Sequence, residues 1–244
     1  MRFIAFLFVN IIFSSLVSAQ PGWNWPDNKS SAEEKNVLYT DYLKEGNCEA
    51  ALEPHTWLLD SVPNLHVSLY QNGIKIYQCL IKNEKDKVKR GQLIEKALEM
   101  FDLRIKYFKR EAYVINRKAF YAYQYYKSNK DQFSFLYELF NRAYELNDDK
   151  ISNNNIVSFM DLMRRYKASF PDNISDDEIL EKYTLITDVI SRKISTENMN
   201  ISIHNDDEKL KYEKNLERLK KYQSLVDELL TNTVTVDCDF IFNK

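Results

Sequence analysis

The chain has 244 residues, and its 34 lysines and arginines nearly balance its 36 aspartates and glutamates. A nucleic-acid-binding protein would carry a strong basic excess, so that class is disfavoured. Only four glycines and five prolines occur, and because β-rich and doubly wound α/β folds consume turn residues, this scarcity favours an all-α fold with long helices.

Residues 1–19 have the pattern of a secretory signal peptide. Arg2 precedes an apolar stretch from Phe3 to Phe13, and small residues precede Gln20. We predict cleavage between Ala19 and Gln20 and export to the periplasm or the cell exterior. The alternative is a membrane anchor, which the polar interruptions and a length below the ~20 residues of a spanning helix disfavour.

An extended lead-in is predicted over residues 20–31, with Trp23 and Trp25 packing on the first helices. Ser31 followed by Glu34 is a capping-box sequence, which predicts a helix beginning there.

A second helix is predicted over 47–61. Gly46 permits a tight turn before it, Ala51 allows a close helix crossing, and Pro63 prevents its extension. Pro54 lies inside this helix and is expected to kink it.

Further helices are predicted over 66–81, 88–108, 111–128, 132–146, 152–168, 176–193 and 207–231. Residues 194–206 are rich in serine and asparagine and are predicted to form a loop before the C-terminal helix. Residues 233–242 alternate between apolar and polar positions, which is the pattern of a strand.

Residues of the first helix pair resemble the tetratricopeptide repeat, in which small, aromatic and proline positions recur at fixed intervals. The matching residues are Leu38, Tyr42, Gly46, Ala51 and Pro63, whereas Lys35 and Tyr39 depart from the pattern. Ala97 with Phe101, Gly73, and Phe140 with Ala143 match more loosely, so the repeats are irregular.

The sequence WNWP at the start and the run from Phe101 to Phe108 are similar to exported tetratricopeptide-repeat-like (TPR-like) proteins of Gram-negative bacteria. The resemblance covers residues 32–193. It implies a right-handed solenoid of antiparallel helix pairs, in which the first helix of each pair lines a concave groove that binds protein segments.

No catalytic, cofactor or metal site is predicted. His55, His66 and His204 are far apart and lack the spacing of metal ligands, and no glycine-rich phosphate loop occurs. His55 is interpreted as a core histidine rather than a ligand.

Four cations on the predicted first helices are candidates for binding a partner: Arg117, Lys118, Arg164 and Arg165. The alternative is that they form a solvated helix face. The aromatic run at 119–127 is interpreted as core rather than a ligand platform, with Phe120, Tyr121 and Tyr125 inside and Tyr123 and Tyr126 partly outside.

Three cysteines are present. Cys48 and Cys79 are expected near one another, which predicts either a disulfide or two buried free thiols. Chains of the group that this sequence resembles usually continue past such a cysteine, which implies that residues 232–244 are a truncated continuation and that Cys238 pairs with residues beyond this chain.

These observations favour a non-enzymatic, exported scaffold that binds a protein or peptide partner in the cell envelope. The alternative is an exported enzyme, or an accessory domain of one, whose catalytic part lies beyond residue 244.

Overall fold

The computed structural model describes residues 22–234 apart from the side chains of Asp206 and Asp207, and in this range all regular structure is helical and no strand occurs. The helices are α1 (Lys29–Lys44), α2 (Cys48–Ser61), α3 (Ser68–Asn83), α4 (Lys87–Phe108), α5 (Glu111–Tyr126), α6 (Phe133–Asn147), α7 (Asn153–Ser169), α8 (Asp176–Ile203) and α9 (Asp206–Thr231). Three predictions lie outside the described residues: the signal peptide with its cleavage site at Ala19 and Gln20, the strand pattern from residue 235 onward, and the pairing of Cys238. Within residues 22–234, no helix is long and apolar enough to span a membrane.

Helices that follow one another in the chain pack together. The most extensive contacts join α1 with α2, α3 with α4, α5 with α6, and α8 with α9. The second helix of each of the first three pairs also packs against the helix that follows it. Helix α7 departs from this alternation, since it packs mainly on α9, α6 and α5 and only slightly on α8. The predicted all-α fold of adjacent helix pairs is therefore confirmed.

The turn between α1 and α2 is built around Gly46, whose φ is +77°. Its backbone N–H donates to the carbonyl of Leu43 at 3.2 Å, and that of Asn47 donates to the carbonyl of Tyr42 at 2.9 Å. This pair of bonds is the Schellman motif, which favours glycine in the left-handed conformation. Ala51 follows with no exposed surface, so the predicted tight turn and close crossing are both confirmed.

Helix α1 begins two residues before the predicted capping box. Asn28 precedes the first turn without a side-chain capping bond, and Ser31 lies inside the helix. The prediction of a start at Ser31 was therefore wrong. An ion pair between Lys29 and Glu33 at 2.6 Å joins residues one turn apart, and Ala32 is fully buried. Both contacts favour the earlier start.

Tyr39 is the principal core residue of α1, although the repeat pattern marked it as a departure. It is fully buried, whereas Leu38 is partly exposed. The ring of Tyr39 meets the edge of His55 at 5.3 Å, and its hydroxyl accepts a hydrogen bond from Asn72 at 3.3 Å. The large side chain of Tyr39 fits here because it packs against the imidazole of His55, which is hydrogen-bonded to α3.

His55 is a core histidine, as predicted. It is fully buried, and its Nε2 lies 2.9 Å from the backbone carbonyl oxygen of Leu69. Burial lowers the pKa of His55, which keeps the ring neutral so that Nε2–H donates to the carbonyl. This bond ties α2 to α3.

Gly73 allows α3 to approach His55 closely. A Cβ atom at Gly73 would lie 2.8 Å from Cε1 of His55 and 2.9 Å from Sδ of Met100. Both distances are shorter than van der Waals contact, so a side chain at this position requires the packed ring to move.

We expect Gly73→Ala to lower the free energy of unfolding by roughly 1–2 kcal/mol, because the overpacking cost exceeds the gain in helix propensity. Gly91→Ala in α4 is the matched control, since no heavy atom lies within 4 Å of a Cβ there. The control should stabilise the chain by roughly 0.5–1 kcal/mol. Urea titrations of both variants measure the difference. Equal effects of one sign would contradict the packing argument.

The aromatic run of α5 packs in a different register from the one predicted. Tyr123 is buried, whereas Phe120, Tyr121 and Tyr125 are partly exposed. Tyr123 turns inward because its hydroxyl donates a hydrogen bond to Asp161 on α7. A polar tip with a buried acceptor allows the ring to occupy a core position that the apolar pattern alone assigned to its neighbours.

Helix α8 continues through the predicted loop at 194–206. Its last residue is Ile203, and two residues connect it to α9. The hydroxyl of Thr196 donates to the carbonyl of Arg192 at 3.0 Å, and that of Ser202 donates to the carbonyl of Met199 at 2.7 Å. These residues remain helical because they bond to their own helix and α8 packs along α9. The predicted loop was therefore wrong.

Three tyrosine hydroxyls donate hydrogen bonds to carboxylates on other helices. Tyr123 donates to Asp161, Tyr137 donates to Glu178, and Tyr183 donates to Asp227. The bonds connect α5 to α7, α6 to α8, and α8 to α9. Burial is the largest cause that raises the pKa of each of these tyrosines, so the hydroxyls stay protonated and act as donors at neutral pH.

Candidate functional site

Three of the four predicted partner-binding cations form ion pairs within the chain. Lys118 is almost buried, and its Nζ lies 2.6 Å from Oδ1 of Asp102. This pair joins α5 to α4 and leaves little of the ammonium for a partner.

Arg164 and Arg165 share a single carboxylate on α7. Nη2 of Arg164 lies 2.7 Å from Oδ1 of Asp161, and Nε of Arg165 lies 2.6 Å from Oδ2 of the same residue. Tyr123 donates to that second oxygen as well. Asp161 keeps only 14% of its side-chain surface exposed, so the two guanidinium groups are held by a mostly buried acceptor.

Arg117 is different, since it is exposed and has no ion pair with any described carboxylate. Its guanidinium carbon lies 5.8 Å from the ring centroid of Tyr113 and 5.9 Å from that of Tyr121. These distances are typical of cation–π contacts. The two rings hold the side chain over the surface of α5 while its N–H donors remain accessible.

Two further arginines meet the same ring. The guanidinium carbons of Arg104 and Arg110 lie 5.2 Å and 5.3 Å from the centroid of Tyr113. We call Arg104, Arg110 and Arg117 the arginine cluster. None of the three forms an ion pair with a carboxylate in residues 22–234, so three positive charges surround one tyrosine.

Arg104 is the buried member of the arginine cluster, with 5% of its surface exposed. Burial lowers the pKa of Arg104, and the neighbouring charges of Arg117 and Arg110 lower it further. A buried cation without a carboxylate partner is unfavourable, because the charge has lost water and gained no opposite charge. The folded chain tolerates this cost at the point where α4 ends.

The connection from α4 to α5 has an unusual backbone. Lys109 has φ +59° and Arg110 has φ +60°, and two successive non-glycine residues with positive φ are disfavoured by contact of Cβ with the backbone. Such strain is concentrated at functional sites in proteins. Here it lies directly beside the arginine cluster.

Two clefts are lined by members of the arginine cluster and share no lining residue. The first, the Arg117 cleft, has a volume of about 290 Å³ and is lined by Tyr113, Asn116, Arg117, Phe120, Tyr121, Ser152 and Asn154. The second, the His66 cleft, has a volume of about 300 Å³ and is lined by His66, Val67, Gln71, Arg104, Phe108, Lys109 and Arg110. Neither lining contains an acidic residue.

The sequence pattern singled out Arg117 but missed Arg104 and Arg110. Arg104 lies seven residues after Ala97 and three after Phe101, which places it on the apolar face of α4. A cation on the buried face of a helix, without an acidic residue one turn away, is the signal that identifies this site.

The two N-terminal cysteines are bonded to one another. The Cys48–Cys79 disulfide joins the start of α2 to the end of α3, with 6.2 Å between the Cα atoms. Cys48 is buried, and Cys79 is partly exposed. Of the two alternatives left open by the sequence, the structure contains the disulfide.

Within residues 22–234, no group of three histidine, cysteine, aspartate or glutamate side chains could hold a metal ion. No protein-family model and no curated protein matches the chain. The geometry of the site is therefore the basis for its function.

Proposed function

We propose that this chain is a non-enzymatic, exported binding protein of the cell envelope, with a tetratricopeptide-like solenoid arrangement, that binds an acidic segment of a protein partner. The observation that carries the proposal is the Arg117 cleft, where an exposed guanidinium without a carboxylate partner lies between aromatic rings.

The chemistry of this cleft suits a carboxylate-bearing peptide. A guanidinium presents two parallel N–H donors that match the two oxygens of a carboxylate. Tyr113 is 43% exposed and lies beside Phe120 and Tyr121, so aromatic surface is available for the apolar parts of a peptide.

The floor of the Arg117 cleft is fixed by hydrogen bonds between α5 and α7. Oδ1 of Asn116 accepts from the backbone N–H of Ser152 at 3.0 Å and from the side-chain amide of Asn155 at 2.7 Å. Asn155 is fully buried. A cleft held in this way needs little reordering when a ligand binds, which reduces the entropic cost of association.

The location of the cleft also supports the proposal. Arg117 lies on α5, and Ser152 and Asn154 lie at the start of α7. In a tetratricopeptide-like arrangement α5 is the first helix of a unit and lines the concave groove, and α7 packs directly against α5. Lys118, Arg164 and Arg165 are left out of the proposed site because their own carboxylate partners occupy them.

The direct test compares binding of a fluorescent hexaglutamate peptide to the chain from Gln20 onward and to its Arg117→Ala variant. We expect the variant to bind at least about tenfold more weakly, because hydrogen bonds to charged groups contribute roughly 1.5–3 kcal/mol. Arg218→Ala on α9 is the matched control, since Arg218 is also exposed and has no ion pair with a described residue.

An affinity pull-down from envelope extract extends the test to the natural partner. A partner retained by the unmodified chain and by Arg218→Glu, but lost with Arg117→Glu, would support the site. Equal retention by both variants, with unchanged circular dichroism, would refute the Arg117 cleft as the binding site.

A further inference from the structure

The His66 cleft lies between the start of α3 and the end of α4. Every ionisable side chain that lines it is basic: His66, Arg104, Lys109 and Arg110. Its residues are not those of the Arg117 cleft, so an inference about it stands independently of the function proposed above.

Arg104 supplies a charge for which the described part of the chain offers no counterion. Only 5% of its surface is exposed, and it lines the cleft. Its neighbours are the ring of Tyr113 and the two other members of the arginine cluster. An anion in the cleft would supply the opposite charge that a buried guanidinium requires.

Lys109 and Arg110 bring two more cations to the mouth of the cleft. Both have positive φ, and both of these consecutive residues line the cleft at the end of α4. Both are exposed, so their charges are available to a ligand that enters from solvent.

His66 adds a neutral donor. Its Nδ1 accepts from the backbone N–H of Ser68 at 3.2 Å and lies 2.8 Å from the hydroxyl of the same residue. Because a backbone N–H can only donate, the proton of the neutral ring is on Nε2. No described residue accepts a hydrogen bond from that nitrogen, which leaves it as a donor for a ligand.

The first turn of α3 also contributes positive charge to the His66 cleft. This helix has 16 residues, no side-chain cap at Val67 and no acidic residue in its first turn. The N-terminus of such a helix carries a partial positive charge. Val67 and Gln71 line the cleft, so this partial charge adds to the charges of the arginines.

We infer that the His66 cleft binds a phosphate group. The cleft offers three cations and an imidazole N–H, more positive charge than a single carboxylate neutralises. A phosphate carries close to two negative charges and presents several oxygens to guanidinium donors. A volume of about 300 Å³ is at the lower end of the range for small-ligand pockets, which suits a free phosphate or the headgroup of an anionic phospholipid.

Titration with inorganic phosphate, followed by tryptophan fluorescence, tests the inference on the whole exported chain. Trp23 stacks on His66 with 4.4 Å between ring centroids, so occupancy of the cleft is expected to change its emission. We expect saturable binding of phosphate and at least about tenfold weaker binding of acetate at equal ionic strength.

Arg110→Gly is the principal variant, because glycine adopts positive φ freely and the fold is retained while the guanidinium is removed. We expect at least about a tenfold loss of phosphate affinity. Arg104→Gln should give a similar loss, and Arg110→Gly keeps the test valid if the buried variant fails to fold. Arg218→Ala should retain phosphate binding, since Arg218 lies on α9 and lines neither cleft.

Sedimentation with vesicles distinguishes the two sources of the phosphate. Binding to vesicles that contain phosphatidic acid but not to pure phosphatidylcholine, lost with Arg110→Gly, would support a lipid headgroup. Binding of inorganic phosphate without vesicle binding would support a free phosphate. Absence of binding to both probes, or equal binding by the unmodified chain and Arg110→Gly, would overturn the inference.

Discussion

Asp161→Asn is expected to lower the free energy of unfolding by about 2–3 kcal/mol. The carboxylate accepts hydrogen bonds from Arg164, Arg165 and Tyr123, and a neutral amide leaves two guanidiniums without a counterion. The figure is below that of a fully buried pair because both arginines keep about a third of their side-chain surface exposed.

The same carboxylate predicts how stability depends on pH. Burial acts to raise the pKa of Asp161, but hydrogen bonds from Arg165, Tyr123 and Arg164 together outweigh it and lower the pKa below 3.8. A group whose pKa is lower in the folded state contributes stability above its unfolded pKa. This contribution is lost as pH falls from about 4 through the folded pKa.

Chemical denaturation at pH 7 and near pH 3 measures both effects. Asp188→Asn is the matched control, because Asp188 is 59% exposed in its pair with Arg192 and exposed pairs contribute little. The unmodified chain should lose more stability on acidification than Asp161→Asn does. Identical losses in the two proteins would contradict the assignment of this carboxylate.

Removal of the Cys48–Cys79 disulfide is expected to cost roughly 3.5–4 kcal/mol. The bond closes a loop between residues 31 apart in sequence, and cross-linking a loop of this length restricts the unfolded chain by about that amount in the chain-entropy model. Cys48→Ser with Cys79→Ser should therefore lower the melting temperature substantially.

Reductant provides the control for this prediction. The oxidised unmodified chain should lose a similar amount of stability in excess tris(2-carboxyethyl)phosphine, whereas the double serine variant should not respond. A melting temperature of the unmodified chain that is insensitive to complete reduction, verified by thiol counting, would contradict a stabilising role for the bond.

Local chemistry allowed much of the fold to be predicted from the sequence. Ser175 and Glu178 have the spacing of a capping box, and Ser175 caps α8 by accepting a hydrogen bond from the backbone N–H of Glu178 at 3.1 Å. Ser31 has the same spacing to Glu34, yet it lies within α1 because packing of Ala32 extends that helix backward. The two sequences differ in tertiary surroundings, which spacing does not encode.

The candidate site could be predicted only in part for a similar reason. Arg117 lies on an exposed helix face, where a cation next to aromatic residues is visible in the pattern. Arg104 projects from α4 towards Tyr113 on α5, and this juxtaposition depends on how the two helices cross. The positive φ of Lys109 and Arg110 gave no sequence signal, since neither residue is a glycine.

The three bonds from tyrosine hydroxyls to carboxylates have a mechanical consequence. Each bond spans about 40 residues of sequence, from 38 to 44, and connects side chains that project from the middle or the ends of separate helices. Sliding one helix past another by a single turn, about 5.4 Å, would break such a bond. The region from α5 to α9 therefore resists shear between its layers. A ligand that binds this region contacts a surface of fixed shape, so conformational change on binding occurs mainly in the ligand.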